Sequence, residues 1–467
     1  MKKAGKIAIG AVSSIILALG VFTGIRWYEV DQATEPSALD TLEIARLKGQ
    51  MMVNYPDRYE VIKPLPYKIP QQDLDVWAES AIIINADNGN VLYEKKADEV
   101  IPPASMTKLF AMYVVDEEVS AGRLSYDQII PLPPESWACN MPPHSSLMFL
   151  GEGQVVTLEE LLLGLSIASG NDAAYALAYT VCGTMEEFVG RMNKVAEDLG
   201  LENTHFVESS GYSELNTTTA REMAEFSAVY LEKHPDSLQR FHSVPSFTYP
   251  KERNMAPGDV VAAQDFSQGL PAHITMPITQ KNTNPLLGVL PGCDGLKTGY
   301  IDESGYNLSL TAQRDGTRYI SVTMKGPGRS NSEGQAGRVH DGTELMEWAF
   351  DRFANLSIAD FLTPYAVKSF NGSEVMINLV PAFSETDITV PNISGASMAE
   401  NLENVKVEVL VPPYTWGEVA VGQELGSIRI SLNDYLIDEI PLVSDRNIYK
   451  NNLLIGFADK IHLFFMK

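Results

Sequence analysis

Apolar residues are distributed along this chain as one long run near the start, as short blocks between turn residues, and as stripes at helical spacing. The long run extends from Ile7 to about Ile25, preceded by Lys2, Lys3 and Lys6 and closed by Arg26. A positive flank followed by roughly a membrane's thickness of apolar helix marks an exported chain. A cleaved signal peptide has a shorter apolar region and a small-x-small cleavage site, and the one candidate is the weak Ala18-Leu19-Gly20. Residues 1–27 are therefore expected to be a membrane anchor or signal segment, with the uncleaved anchor favoured. Residues 28–75 are mixed polar with Pro56, Pro64, Pro66 and Pro70, which suits a stalk carrying one short helix around Thr41 to Met52.

The first hairpin is expected at residues 81–87 (AIIINAD) and 90–95 (NVLYEK), joined by Asn88-Gly89 as a two-residue type I′ turn. Helix starts follow as capping boxes at Thr157/Glu160, Thr184/Glu187 and Thr219/Glu222. The second opens the stripe Phe188, Met192, Val195, Leu199, closed by Gly200. After a loop-rich stretch over 234–284, strand character returns at 295–301 and 307–312, and Asp315-Gly316 turns the chain into 319–324 (YISVTM). Strands at both ends of a helical middle give an α+β domain over residues 76–356, an antiparallel sheet with packed helices. Residues 357–447 carry short Val/Ile-rich runs between Gly, Pro and Asn, the pattern of a small C-terminal β-sandwich domain. In the tail, 448–467, Leu454, Phe457, Ile461 and Phe464 or Phe465 recur at helical spacing. It either caps the β-rich domain or lies in a membrane surface.

Composition narrows the function. The net charge of −25 would repel phosphate backbones, and no basic run exists beyond the N-terminus, so nucleic acid is excluded as a partner. Three cysteines without CxxC spacing leave one unpaired in any scheme, with Cys139–Cys182 as the candidate disulfide. Seven scattered histidines, with no HExxH, argue against a zinc peptidase, and no metal or cofactor is implied. Sequence sets no oligomeric state.

Three short motifs carry chemistry. In Pro102-Pro103-Ala104-Ser105-Met106-Thr107-Lys108 the prolines can sit only at or before a helix's first turn. Ser105 then falls at a helix N-terminus with Lys108 one turn on, close enough for the amine to take the hydroxyl proton. In Ser169-Gly170-Asn171, a tight turn between helices, the hydroxyl can relay a proton to a leaving amine and the carboxamide can hold a peptide group. In Lys297-Thr298-Gly299, on a strand, the ammonium and hydroxyl suit a carboxylate, and Gly299 leaves room for substrate alongside the strand. Each motif alone is commonplace; together and in this order they are specific.

With PPASMTKL, SGNDAA and DGLKTGYIDESGYNL, the chain resembles the serine D-Ala-D-Ala carboxypeptidases, the low-molecular-mass penicillin-binding proteins related to β-lactamases. The resemblance spans residues 76–447. It implies a penicillin-binding/β-lactamase-like fold and an extracytoplasmic enzyme that trims peptidoglycan stem peptides through a serine acyl-enzyme and is acylated by β-lactam antibiotics. Carried over residue by residue, it makes Ser105 the nucleophile, Lys108 its base, and Ser169 and Asn171 the second wall of the cleft. Lys297, Thr298 and Gly299 would hold the substrate's C-terminus, and the backbone N–H groups of Ser105 and Tyr300 would form the oxyanion hole. Tyr300 stands where some relatives have His, and residues 209–219 (SSGYSELNTTT) lack the His-Gly-Leu-Asp wording of several members. The rival readings are a β-lactamase, whose Glu-x-x-Leu-Asn loop would need a glutamate where Tyr212 stands before Leu215-Asn216, a D,D-endopeptidase, and a non-catalytic wall-binding or β-lactam-sensing protein.

Overall fold

The computed structural model describes residues 2–70, 72–255, 266–392 and 397–466, with side chains from residue 17 onward. The chain divides into two compact units, one of Val61–Leu65 with Ile69–Ala354, the other of Met1–Glu60, Pro66–Lys68 and Asn355–Lys467. In chain order the elements begin with α1 (Lys2–Gln32) and α2 (Thr41–Asn54) of the second unit. The first unit then supplies β1 (Lys63–Pro64), β2 (Ser80–Asn85), β3 (Asn90–Lys95), α3 (Thr107–Ser120), α4 (Leu158–Ile167), α5 (Asn171–Cys182), α6 (Met185–Asp198) and α7 (Ala220–Lys233). It closes with β4 (Cys293–Ile301), β5 (Gly305–Arg314), β6 (Thr317–Gly326) and α8 (Asn331–Arg352).

The six strands form one sheet in the order β1-β3-β2-β6-β5-β4, antiparallel except for β1 against β3. Because side chains alternate across a strand, Ala81 and Ile83 of β2 join Leu308 and Leu310 in the core under α8. Ile82 and Ile84 join Phe110, Phe206 and Phe226 in the larger core on the other face. The sheet is thus covered on both sides, which explains why every residue of β2 is buried. Strand β4 forms the free edge of this sheet, and the turn carrying Ser105 packs against it.

Two local expectations change in detail. The β2–β3 connection is a four-residue turn over 86–89: only Gly89 has positive φ (+76°), whereas a type I′ turn needs it at both central residues. The side chains of Asn85 and Asn88 accept from the Asp87 and Asn90 N–H groups and carry the extra residues. Of the capping boxes, only Thr157/Glu160 is reciprocal. Thr184 and Thr219 cap the N–H of Glu187 and Glu222, but the Glu222 carboxylate turns away to Asn203 and Thr204. The three cysteines are free, so Cys139 and Cys182 form no disulfide; Cys182, at the end of α5, faces the Arg191 guanidinium instead. Within the loop-rich stretch, Ser246–Tyr249 pairs antiparallel with Ile278–Lys281, while residues 256–265 lie outside the described residues.

The second unit contains β7 (Tyr365–Phe370), β8 (Met376–Pro381), β9 (Val405–Leu410), β10 (Thr415–Trp416), β11 (Glu424–Leu432), β12 (Tyr435–Ser444) and α9 (Leu453–Met466). Its sheet runs β9-β11-β12-β8-β7-β10. Residues 28–60, expected to be a stalk, belong to this unit. Arg58 forms a bidentate pair with Asp438, and Tyr59 Oη donates to the Ala382 carbonyl at 2.7 Å. Helix α1 docks on α9. Arg26 donates to both carboxylate oxygens of Asp459 (3.0 and 3.1 Å), Trp27 Nε1 donates to the Ala458 carbonyl, and the Trp27 and His462 rings stack at 5.0 Å. The stripe read from the tail points outward, with Leu454, Phe457, Phe464 and Phe465 all more than half exposed, while Gly456, Asp459 and His462 face in. Polar pairing, not the apolar stripe, holds this helix down.

Among the described residues no helix is long and apolar enough to cross a membrane. The side chains of Lys2, Lys3, Lys6 and the first half of the apolar run lie outside them.

The Arg26–Asp459 pair is buried on both sides. Arg26→Ala leaves Asp459 with the Asn371 N–H alone, and losing one partner of a buried pair costs about 3–5 kcal/mol. The unfolding transition of this unit should drop accordingly in chemical denaturation, with the first unit's transition unchanged.

Candidate active site

Ser105 occupies a single 3₁₀ turn, Ala104–Met106, that feeds directly into α3. Helix α3 is buried nearly all round, so Lys108 on its first turn has nowhere exposed to go and is 0% accessible. Its Nζ donates to Ser105 Oγ (3.0 Å), Asn171 Oδ1 (2.8 Å) and the Ser210 carbonyl. Desolvation pushes the ammonium down to about 7, against the opposing pull of Glu208 and Asp172. A lysine in that range is half neutral at neutral pH and able to accept a proton from the hydroxyl it touches.

The second wall is the turn between α4 and α5. Ser169 adopts φ +56°, and its buried hydroxyl has no hydrogen-bond partner among the described residues. Asn171 begins α5, accepts from Lys108 and donates to Ser145 Oγ at 3.1 Å. The adjacent Asp172, which the sequence did not single out, is fully buried and accepts the N–H groups of Met148, Phe149, Leu150 and Ala173 at 2.8–3.0 Å. Burial pushes its carboxyl up, opposed by those four N–H groups. Asp172 thereby fixes the 145–150 loop whose Ser145 and Ser146 face Asn171.

The third wall is the edge strand β4. Lys297 is 1% exposed, donates to the Thr298 carbonyl at 3.0 Å and has no carboxylate partner among the described residues. Burial, with Lys108 and Arg338 nearby, holds it well below the usual lysine range. Arg338, from α8, donates to the carbonyls of Gly299 and Asn307 and so clamps β4 to β5 from behind. Gly299 has a structural reason beside the expected one: a Cβ there would meet the Pro103 carbonyl at 2.5 Å and Ser105 N at 3.2 Å, so the missing side chain admits the turn that carries Ser105. Tyr300 is half exposed, its ring 4.4 Å from that of Tyr306; its hydroxyl donates to Asp302, which pushes it up to about 12.

These walls enclose a cleft of about 810 Å³ lined by Ser105, Asn171 and Tyr300. Segment 208–216 forms its remaining side. The Glu208 carboxylate gathers the N–H groups of Ser210, Gly211 and Ser213, and Asn216 ties the loop to Thr107 at 3.2 Å. Gly211 (φ +78°) lies so close that a Cβ would stand 1.8 Å from the Ala104 carbonyl. Tyr212 and Glu214 line the opening, as do Asp302 and Glu303 across it. Ser105, Lys108 and Asn171 are thus joined by direct hydrogen bonds. Lys297 is an electrostatic neighbour of Lys108, and Ser169, although beside Asn171 in sequence, bonds to none of them.

Residues 67–328 match the family described as D-alanyl-D-alanine carboxypeptidase, and residues 363–450 match the penicillin-binding protein 5 C-terminal domain. The chain is 30% identical to D-alanyl-D-alanine carboxypeptidase DacF of Bacillus subtilis, over 80% of this chain and 86% of that one. It is 28% identical to D-alanyl-D-alanine carboxypeptidase DacA of Escherichia coli, over 86% and 91%. In structure it is similar to penicillin binding protein 5 of Haemophilus influenzae, with a TM-score of 0.65 and 25% identity, covering 82% of this chain and 100% of that one.

Gly211→Ala should displace the turn bearing Ser105 and lower its acylation rate by about 10²-fold, the scale of a 1 Å misplacement. Gly190→Ala on α6, where a Cβ meets nothing within 4 Å, should leave that rate unchanged. Rapid-mixing acylation kinetics on the two variants would check both.

Proposed function

The chain belongs to the D-alanyl-D-alanine carboxypeptidase family, and we propose that it removes the terminal D-alanine from peptidoglycan stem peptides through an acyl-enzyme on Ser105. The observation that carries this reading is the solvent-excluded Lys108, 3.0 Å from Ser105 Oγ and brought down to about 7. Neutral Lys108 takes the hydroxyl proton as Ser105 Oγ attacks the penultimate D-alanine carbonyl. The developing oxyanion is received by the N–H groups of Ser105 and Tyr300, at the Ser105 turn that Gly211 and Gly299 leave uncrowded. The Ser169 hydroxyl, with no competing partner, passes a proton to the departing D-alanine amine. Lys297 and Thr298 hold the carboxylate of that leaving group, and the arriving negative charge favours the protonated form of Lys297, which has no carboxylate partner in the free site. Water then cleaves the ester.

A β-lactam places a carboxylate and an acyl carbon in the same relation, so it should acylate Ser105 by the same route and keep its leaving group tethered. Tyr212 occupies the position where a β-lactamase carries its deacylating glutamate. Glu214, two residues on, does line the cleft, and it is the residue a rapid penicillin hydrolysis would implicate.

The lysine-flanked apolar run supports export and retention at the membrane. Leu17, Val21, Ile25 and Tyr28 of α1 and the outward apolar stripe of α9 are exposed, which suits lipid contact at that end of the second unit. Washing membranes with high salt should leave the protein bound, while detergent should release it. Recovery in the salt wash would remove the anchor from the proposal.

Ser105→Ala should abolish both D-alanine release and covalent penicillin labelling. Since Lys108 works only when neutral and titrates near 7, wild-type acylation should fall about tenfold per pH unit below 7 and level off above it. Stopped-flow acylation with a fluorescent penicillin between pH 5 and 9 measures this profile. A flat profile, or label on another residue, contradicts the mechanism. General-base assistance is worth about 10²–10⁴-fold, so the acyl-enzyme should outlive a β-lactamase's by a comparable factor.

A further inference from the structure

The peptide group joining Ser210 to Gly211 lies between two charged side chains. Its carbonyl, that of Ser210, accepts from Lys108 Nζ, while its N–H, that of Gly211, donates to Glu208 Oε1 at 2.7 Å. The same carboxylate takes the Ser210 N–H (2.7 Å) and hydroxyl (2.6 Å) on Oε2, and the Ser213 N–H (3.3 Å) and Asn216 Nδ2 (3.0 Å) on Oε1. All five donors are neutral, and among the described residues Glu208 forms no ion pair. Its charge is therefore spread over one turn of the loop and not cancelled there.

The three oxygens around Lys108 Nζ differ in capacity. Asn171 Oδ1 and the Ser210 carbonyl can only accept, whereas Ser105 Oγ also carries a proton. A neutral amine has two N–H bonds and one lone pair, so once both acceptors are satisfied the lone pair is left facing Ser105. That orientation lasts only while the Ser210 carbonyl keeps its place. Glu208 secures the carbonyl from the other end of its peptide bond, and hydrogen bonds in such a series polarise one another. A negative charge at the N–H end makes the carbonyl a better acceptor and favours the ammonium. Burial pushes Lys108 down, and of the two carboxylates that pull it back up, Glu208 is the stronger.

We propose that Glu208 is a positioning residue that acts on Lys108 through the Ser210–Gly211 peptide, aiming the amine's lone pair at Ser105 and strengthening it as a base. The inference rests on the reading of Lys108 as the base that activates Ser105. Three other groups bear on the pair: Asp172 and Tyr175 of α5, and Lys297 of β4. Asp172 pulls the same way as Glu208 but engages four backbone N–H groups, and Lys297 repels Lys108. Burial and Glu208 push the Tyr175 hydroxyl up, so it stays neutral below pH 9.

The test follows acylation of Ser105 by a fluorescent penicillin from pH 5 to 9 in the full-length wild type, Glu208→Gln and Glu208→Asp. Glutamine removes the charge and keeps the length and one accepting oxygen. Aspartate keeps the charge and shortens the reach. In Glu208→Gln the inflection should move from about 7 toward acid by about one unit, the low end of what a nearby opposite charge contributes. At pH 6 that variant should run at about half its own plateau rate, against about a tenth for the wild type. In Glu208→Asp the inflection should stay where the wild type has it. An unmoved inflection in the glutamine variant, or a displaced one in the aspartate variant, would show Glu208 to be a strut of the loop and overturn the inference. A wild-type profile without an inflection would overturn Lys108 as the base, and this inference with it.

Discussion

The ammonium of Lys108 is shut off from water, and the oxygens that take its hydrogen bonds come from three distant parts of the chain: Ser105, Asn171 and Ser210. A buried lysine left short of acceptors costs several kcal/mol, so the folded state is held to the one arrangement in which all three are in place. The geometry proposed for catalysis and the stability of this core are consequently the same requirement. Bringing Ser105 up to Lys108 also brings α5 and the 208–216 loop into register. The partial loss of charge that burial imposes is what makes the amine a usable base.

That packing leaves little space around Ser105. Gly211 and Gly299 approach the Pro103–Ser105 backbone from two sides, each at distances no Cβ could occupy. Ala104 and Ser169 adopt φ of +49° and +56°, conformations of about 1–3 kcal/mol that persist because the surroundings leave no alternative. Asp172 contributes by gathering four backbone N–H groups, which ties the 148–150 loop to the start of α5. Positive-φ backbone and dense hydrogen bonding coincide around Ser105 and Asn171.

The legible parts of the sequence were those in which a local pattern has a local cause. Proline before Ser105, alternation in residues 307–312, and a hydroxyl three residues before a glutamate each act within a turn or two, and the structure follows them. What depended on contacts between distant segments was not legible. Nothing in the wording around Ser210 announces that its carbonyl accepts from Lys108, and Arg338 reads as one more polar residue on a helix until β4 is beside it. Gly299 also meets residues almost two hundred positions earlier, a contact that no local pattern announces. The apolar stripe of α9 was read correctly as periodic, but periodicity alone cannot say which face docks. There a buried Arg–Asp pair overrode the usual rule that the apolar face goes inward.

Charge is arranged in opposite senses at the floor and the mouth of the cleft. Behind Ser105 lie Lys108, Lys297 and Arg338, all desolvated, while the exposed Glu214, Asp302 and Glu303 line the cleft of a molecule whose net charge is −25. At physiological ionic strength the Debye length is about 8 Å, so the exposed carboxylates act only at short range, and desolvation leaves Lys108 and Lys297 little charge to project beyond the floor. A substrate carboxylate therefore gains nothing from long-range steering and is recognised only once it has displaced water from the floor. Affinity drawn from so short a range favours selection by the exact placement of the carboxylate over capture from dilute solution.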